Sequence, residues 1–138
     1  MIGSDVYDIL YGLGLDDDEI KSVNRRNKLL NDTTAHEVED VIDFFKIKCK
    51  LSSDDIASII IENPLILNEN FARINMLKSI YDKLGFSENE YRKYIINFRR
   101  AFSLNPKDVV EGITNMLESG KNMEEIRLEI LKNPSGLF

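Results

Sequence analysis

Histidine and cysteine are almost absent from this chain of 138 residues, with His36 and Cys49 the single examples of each. A lone cysteine excludes an intramolecular disulfide and suits a reducing compartment. With no Cys/His ligand set and no glycine-rich phosphate loop, neither a structural metal site nor a nucleotide cradle is encoded, and no cofactor is expected. His36 reads as a surface residue near a helix start, and Cys49 as a small semi-buried thiol at a turn. Long apolar runs are missing too. Charges interrupt every hydrophobic stretch well before the roughly 18 residues that a membrane span requires, so a soluble chain with no membrane partner is expected. No basic residue precedes Lys21, which fits neither a secretory signal nor an Arg-rich transit peptide. Positive charge is in the minority, with 18 Lys and Arg against 24 Asp and Glu and a formal charge of −6. Carboxylate pairs such as Asp54 and Asp55 have a structural use described next, so acid/base catalysis finds no support and a non-enzymatic protein is expected.

What the chain does contain is a repeated helix-start signal. In LSSDDIASIIIENPLIL, Leu51 to Leu67, Ser52 is an N-cap type and Asp55 stands at the capping-box position three residues on. Leu51 and Ile56 are spaced as a hydrophobic staple over the first turn, and Ile59 and Ile60 continue the apolar face. Pro64 ends the helix at Asn63 and opens a short turn carrying Leu65, Ile66 and Leu67. The same grammar occurs four times. The staple residues Ile20, Ile56, Tyr91 and Ile126 lie at intervals of 36, 35 and 35. Asp16, Ser52, Ser87 and Asn122 align as caps, and Glu19, Asp55, Glu90 and Glu125 as their partners. Leu15, Leu51 and Phe86 supply the other half of the staple, where Lys121 breaks the column. Asn27, Asn63 and Asn133 share one position, with Phe98 the exception. A period in this range without strand signals between copies predicts an all-α stacked helical array.

Between these motifs lie longer amphipathic helices. Ser4 is positioned to cap the first, whose face is Val6, Ile9, Leu10 and Leu13, so the chain is expected to open on the second helix of a partial repeat. The next spans about Thr34 to Lys48 with Val38, Val41, Ile42 and Phe45 inward. Its successors carry Phe71, Ile74, Leu77, Ile80, Tyr81 and Leu84, and then Val109, Ile113, Met116 and Leu117. Gly112 in the last of these marks either close helix packing or a locally weaker helix. Gly14, Gly85 and Gly120 fall just past such helices, where a left-handed residue is usual, and Cys49 aligns with them in the remaining copy. A single helical-repeat domain over 1–138 is predicted, with a leading partial repeat at 5–14, repeats at 15–49, 50–85 and 86–120, and a trailing partial repeat at 121–138. The terminal Leu137 and Phe138 are expected to fold back on the last helix, or to seat against a second chain.

The strings LGLDDDEIKSVNRRNKLL, KLSSDDIASIIIENPLIL and LGFSENEYRKYIINFRRAF resemble the repeat of the mitochondrial transcription termination factor family. The resemblance covers nearly the whole chain and is specific in combination, since cap, staple and asparagine stay in phase through the copies. It implies a curved α-solenoid of helical triplets, each with two α-helices and a short 3₁₀ helix, whose members bind double-stranded DNA or RNA in a basic groove and act in transcription or RNA maturation. A short bacterial relative is expected in the cytoplasm, and a mature organellar one in the matrix.

Two features set this chain apart: it has fewer repeats than well-known members, and its pI is about 4.9. Many carboxylates nevertheless lie in first turns, where they complement the helix dipole and leave the cations free to gather elsewhere. Arg25, Arg26 and Lys28 end the first motif helix, Arg99 and Arg100 the third, and Lys132 the fourth. In a regular array these positions line one edge, broken by Glu62 in the second copy, and they are the candidate phosphate contacts. Last-turn cations also favour the dipole, so a purely structural role stands beside the functional one. Lys46, Lys48 and Lys50 form a second basic group. Tyr91, Tyr94 and Phe98 can be read as base-stacking residues, though their helical spacing fits core packing better. The alternative to nucleic-acid binding is a protein-interaction module that takes a partner helix on its concave face or unfinished end. An acidic surface there prefers a basic partner.

Overall fold

The computed structural model describes residues 1–134, apart from the side chain of Arg99. The expected docking of Leu137 and Phe138 lies outside the described residues. Eight α-helices and no strand occur among the residues described. They form two compact units, Met1–Glu69 and Asn70–Phe138.

The first unit contains α1 (Ser4–Gly12), α2 (Asp17–Arg26), α3 (Ala35–Asp43) and α4 (Ser53–Glu62). Short 3₁₀ turns follow α2 at Lys28–Asp32 and α4 at Pro64–Asn68. The second unit repeats the order with α5 (Phe71–Lys83), α6 (Glu88–Asn97), a 3₁₀ turn at Arg99–Ser103, α7 (Pro106–Glu118) and α8 (Met123–Lys132). None of the helices described is long and apolar enough to cross a membrane.

All four motif helices begin with a complete capping box. The Glu19 N–H donates to Asp16 Oδ1 at 2.8 Å and the Asp16 N–H to Glu19 Oε1 at 2.9 Å. Ser52 with Asp55, Ser87 with Glu90 and Asn122 with Glu125 reproduce that exchange. Two otherwise orphaned donors are satisfied at each start, and losing one such cap costs about 1 kcal/mol. The staple residues are buried as pairs: Leu15 with Ile20, Leu51 with Ile56, and Phe86 with Tyr91. Lys121, the exception, instead pairs with Glu129. The first helix differs from the expected pattern. Its N-cap is Gly3, with no side-chain bond to the helix, and Ser4 is already the first helical residue.

The motif helices end in a shared backbone conformation. Asn27, Asn63, Phe98 and Asn133 all sit near φ −135, with values of −136, −135, −132 and −144 and ψ between 71 and 88. That break from helical geometry redirects the chain into the 3₁₀ turn, and phenylalanine adopts it as asparagine does.

Gly14, Gly85 and Gly120 take the left-handed conformation at φ 105, 88 and 100. Behind each, the next N–H reaches back to the long helix: Leu15 to the Leu10 carbonyl, Phe86 to Tyr81 and Lys121 to Met116. This is the Schellman closure of a helix end. In the remaining copy the left-handed residue is Lys50, at φ 55, and Cys49 stays helical at φ −96, contrary to the alignment on Cys49. The reason is one extra residue in the long helix. Its interval from Thr34 to Lys50 exceeds that from Asn70 to Gly85 or Asn105 to Gly120 by one. A π turn at Phe44–Lys48 absorbs the surplus, with the Cys49 N–H reaching Phe44 and the Leu51 N–H reaching Phe45. Single π turns are the usual accommodation of such an insertion, and α3 therefore stops at Asp43 instead of running to Lys48.

Val38, Val41, Ile42 and Phe45 are buried as the pattern requires, as are Ile74, Leu77, Tyr81 and Leu84. Phe71 and Leu117 are 40% and 42% exposed, so the apolar faces of α5 and α7 are narrower than predicted.

Candidate nucleic-acid interface

Within the first unit, α2 and α4 pack together, and the 3₁₀ turns that follow them touch one another, so the C-terminal ends of the two helices are adjacent. Arg26 Nη2 donates to the Ile61 carbonyl at 2.5 Å, satisfying one of the orphaned acceptors at the end of α4. Beside it a closed ring of hydrogen bonds joins the two 3₁₀ turns. The Leu29 N–H donates to Asn27 Oδ1 at 3.2 Å, and Asn27 Nδ2 donates to Asn68 Oδ1 at 2.7 Å. Asn68 Nδ2 donates to Thr33 Oγ1 at 2.8 Å, and the Thr33 hydroxyl returns to the Leu29 carbonyl at 2.7 Å. Asn27 Nδ2 also donates to the Pro64 carbonyl at 2.9 Å. Asn27 is the one fully buried polar residue among those described, and this ring is what makes its burial tolerable.

On that braced end Arg25 and Lys28 are exposed. Neither has a hydrogen-bonding or ion-pair partner among the described residues. Arg26 is exposed as well, but its guanidinium already serves the Ile61 carbonyl. Exposed Leu29 and Leu65 occupy the same position on the two stacked turns, beside Lys28.

In the second unit α6 and α8 pack with their N-terminal ends adjacent. Arg127 of α8 donates to the Gly85 carbonyl at 3.2 Å, and its Nε lies 3.7 Å from Glu90 Oε2. The backbone N–H of Ser87 holds the Glu90 carboxyl below its ordinary range, against a smaller opposing effect of burial. The Ser87 hydroxyl and the Arg127 and Lys93 charges assist. Arg100 lies in the 3₁₀ turn that follows α6, and Lys132 is the last residue of α8. Both are exposed, and neither has a partner among the described residues. The Arg99 side chain lies outside the described set. The turn bearing Arg100 is held from behind by Arg73, whose guanidinium donates to the Phe102 carbonyl at 3.0 Å.

The predicted cations divide between the units, Arg25, Arg26 and Lys28 in the first and Arg100 and Lys132 in the second. Lys46, Lys48 and Lys50 are exposed around the π turn of the first unit. Tyr91, Tyr94 and Phe98 are buried, at 3%, 1% and 7% exposure, so their rings are core and not a stacking platform. They form one aromatic cluster with Tyr81 and Phe86, and the Tyr81 and Tyr94 hydroxyls meet at 2.6 Å. His36 is exposed and 3.6 Å from Asp40.

Asn68, Thr33 and Arg73, which brace the cation-bearing turns, carry no local sequence signal. Their partners lie one repeat away, and only the in-phase recurrence of the turns hints that neighbouring copies touch there.

Four capped helices in phase, three of them followed by a 3₁₀ turn and a further helix, define an all-α helical-repeat protein. The profile of the mTERF family matches residues 4–137, and the chain belongs to that family. Members of the family are generally nucleic-acid-binding and transcription-related. Comparison with curated proteins finds no match.

Proposed function

We propose that this chain is a non-enzymatic nucleic-acid-binding protein. In this reading it grips the phosphate backbone of double-stranded DNA or RNA through Arg25, Lys28, Arg100 and Lys132, with Arg99 added by its place in the sequence. A role in transcription regulation follows from the family.

The observation that carries the reading is the segregation of charge along the motif helices. Acidic residues occupy the first turns, as Asp17, Asp18 and Glu19 do in α2 and Glu124 and Glu125 in α8. The exposed, unpaired cations occupy the far ends. An acidic total therefore coexists with basic helix ends, and phosphate binding depends on the local field and not on the sum. Arg26 sits in the same group as a positioning residue, since it ties the end of α2 to the end of α4.

Fluorescence anisotropy with labelled duplex DNA and single-stranded RNA, across about 50 to 200 mM salt, tests the proposal. Saturable duplex binding that weakens steeply with salt is expected. Absence of binding at the lowest salt overturns it.

A further inference from the structure

The exposed aromatic surface that Tyr91, Tyr94 and Phe98 do not provide occurs on α1. Tyr7 and Tyr11, one helical turn apart, stack with ring centroids 6.2 Å apart and planes inclined by 12°. Tyr7 is half-buried, and Tyr11, at 61%, is the most exposed Phe or Tyr among the described residues. The other three of the five tyrosines are at most 3% exposed. Neither the Tyr7 nor the Tyr11 hydroxyl has a hydrogen-bond partner among the described residues. An aromatic pair at this spacing steadies a helix slightly, but it leaves the outer ring of Tyr11 without a partner.

The register of α1 and α2 sets what stands beside these rings. Ile9, Gly12 and Leu13 line a groove that α1 shares with Ile42 and Lys46 of α3. At about 100° per residue, Tyr7 and Tyr11 lie on the far side of α1 from Ile9. They are also the repeat equivalents of Ile42 and Lys46, just as the buried Val6 and Leu10 are of the buried Val41 and Phe45. The side of α3 that faces α1 is thus, on α1 itself, the side turned away from α3. Helix α2 follows the same rule. Arg26 reaches the Ile61 carbonyl of α4, and the repeat equivalent of Ile61 is Arg25. Arg25, with Lys21 one turn before it, therefore lies on the side of α2 turned away from α4.

Because α1 packs on α2 and α3, and α2 on α4, the two tyrosines and these two cations share one edge of the first unit. Lys21 and Arg25 are exposed, and neither has a hydrogen-bonding or ion-pair partner among the described residues. Asp17 and Asp18, in the first turn of α2, close the edge at one end, and the cations continue from there toward Lys28.

We infer that Tyr7 and Tyr11 form a stacking platform for an unpaired base, with Lys21 and Arg25 holding phosphates of the same strand. Every base has a π-face that an aromatic ring can cover, and cations alongside track the backbone, so the two features together suit a single-stranded segment. The inference rests on the nucleic-acid reading above, in which Arg25 is already a phosphate contact, and it narrows the substrate to a duplex with a single-stranded extension.

The test uses the full chain and three labelled duplexes: one blunt, one extended by a short run of deoxyadenosines, and one extended by an equal run of abasic nucleotides, which carry the same phosphates without bases. Anisotropy at about 50 mM salt is expected to show the deoxyadenosine extension binding at least about fivefold tighter than the abasic one. Tyr11→Leu, which removes the ring from an exposed helix position, is expected to abolish that difference with helical content and melting temperature retained. Tyr11→Phe is expected to keep it, and Lys21→Ala to weaken both extended duplexes. Equal affinity for the two extensions overturns the inference, as does a difference that Tyr11→Leu leaves intact. Salt-dependent binding of the blunt duplex in either case leaves the helix-end reading standing. Base-dependent binding of the extension without binding of the blunt duplex keeps the platform and removes the duplex grip, and a chain that binds none of the three overturns both.

Discussion

Asn27 and Asn68, one from each of two consecutive repeats, are joined side chain to side chain at 2.7 Å. Asn27 is wholly buried and supplies both an acceptor, for the Leu29 N–H, and a donor, for Asn68 and the Pro64 carbonyl. Replacing it with alanine strands these groups in a dry interior. Such loss of a buried, multiply bonded amide is expected to cost about 2–3 kcal/mol. Asn63 occupies the same column, is half-buried and makes no side-chain cap bond. Asn63→Ala is expected to change stability by no more than about 0.5 kcal/mol. Urea unfolding of the two variants compares them directly, and equal losses would mean that the column matters through its backbone conformation alone.

Lys50 holds a left-handed conformation, φ 55, that its counterparts fill with glycine. A β-carbon in that region is strained, whereas glycine adds entropy to the unfolded chain. The difference is expected to leave Lys50→Gly more stable by about 0.5–1 kcal/mol. Cys49→Gly gains nothing by this route, since Cys49 is helical and 2% exposed, and removing its side chain leaves a void. Thermal melts of the pair should therefore shift in opposite directions.

The buried Tyr81–Tyr94 pair makes the second unit sensitive to alkali. Burial pushes the Tyr81 phenol up to about 12, its bond to Tyr94 offsetting a part, and burial together with the neighbouring Tyr81 and Tyr91 raises Tyr94 as well. In the unfolded chain both titrate near the ordinary value of about 10. Above that pH the unfolded state gives up protons that the folded state keeps, so stability is full below about pH 10 and declines on raising it. The slope is about 1.4 kcal/mol per pH unit for each phenol. Phenolate absorbance should show the Tyr81 and Tyr94 phenols titrating only as the chain unfolds. Smooth titration of all five tyrosines without loss of helix would contradict this.

Legibility in the sequence tracks how local the physics is. A capping box lies within four consecutive residues, so Asp16, Ser52, Ser87 and Asn122 are all identifiable from side-chain chemistry alone, and the structure has a box at each. The burial of Tyr91 and Tyr94 follows from helical spacing. Lys50 is legible from the staple column, since it precedes Leu51 as Gly14 precedes Leu15 and Gly85 precedes Phe86, and aligning Cys49 instead misses it; only the π turn in the apolar stretch FFKIK goes unmarked. The Asn27 ring and the Arg73 brace depend on residues a repeat away, and periodicity shows that copies are equivalent without showing which atoms meet. Last-turn arginines are ambiguous for a different reason. Arg25 and Arg26 have the same local setting, yet only Arg26 reaches a carbonyl of α4, the next capped helix.

That difference yields the sharpest test of the proposed interface. Arg25→Ala with Lys28→Ala removes two exposed charges that have no partner among the described residues, so folding stability should stay within about 0.5 kcal/mol of the parent. If both contact phosphate, duplex affinity falls and the slope of log affinity against log salt drops by roughly two. Arg26→Ala removes a bond to the Ile61 carbonyl, and should lower stability by about 1–2 kcal/mol whether or not nucleic acid binds there. A double variant with normal stability and an unchanged salt slope would remove Arg25 and Lys28 from the interface. Arg100 and Lys132 of the second unit would then be the cations to substitute next, by the same pair of measurements.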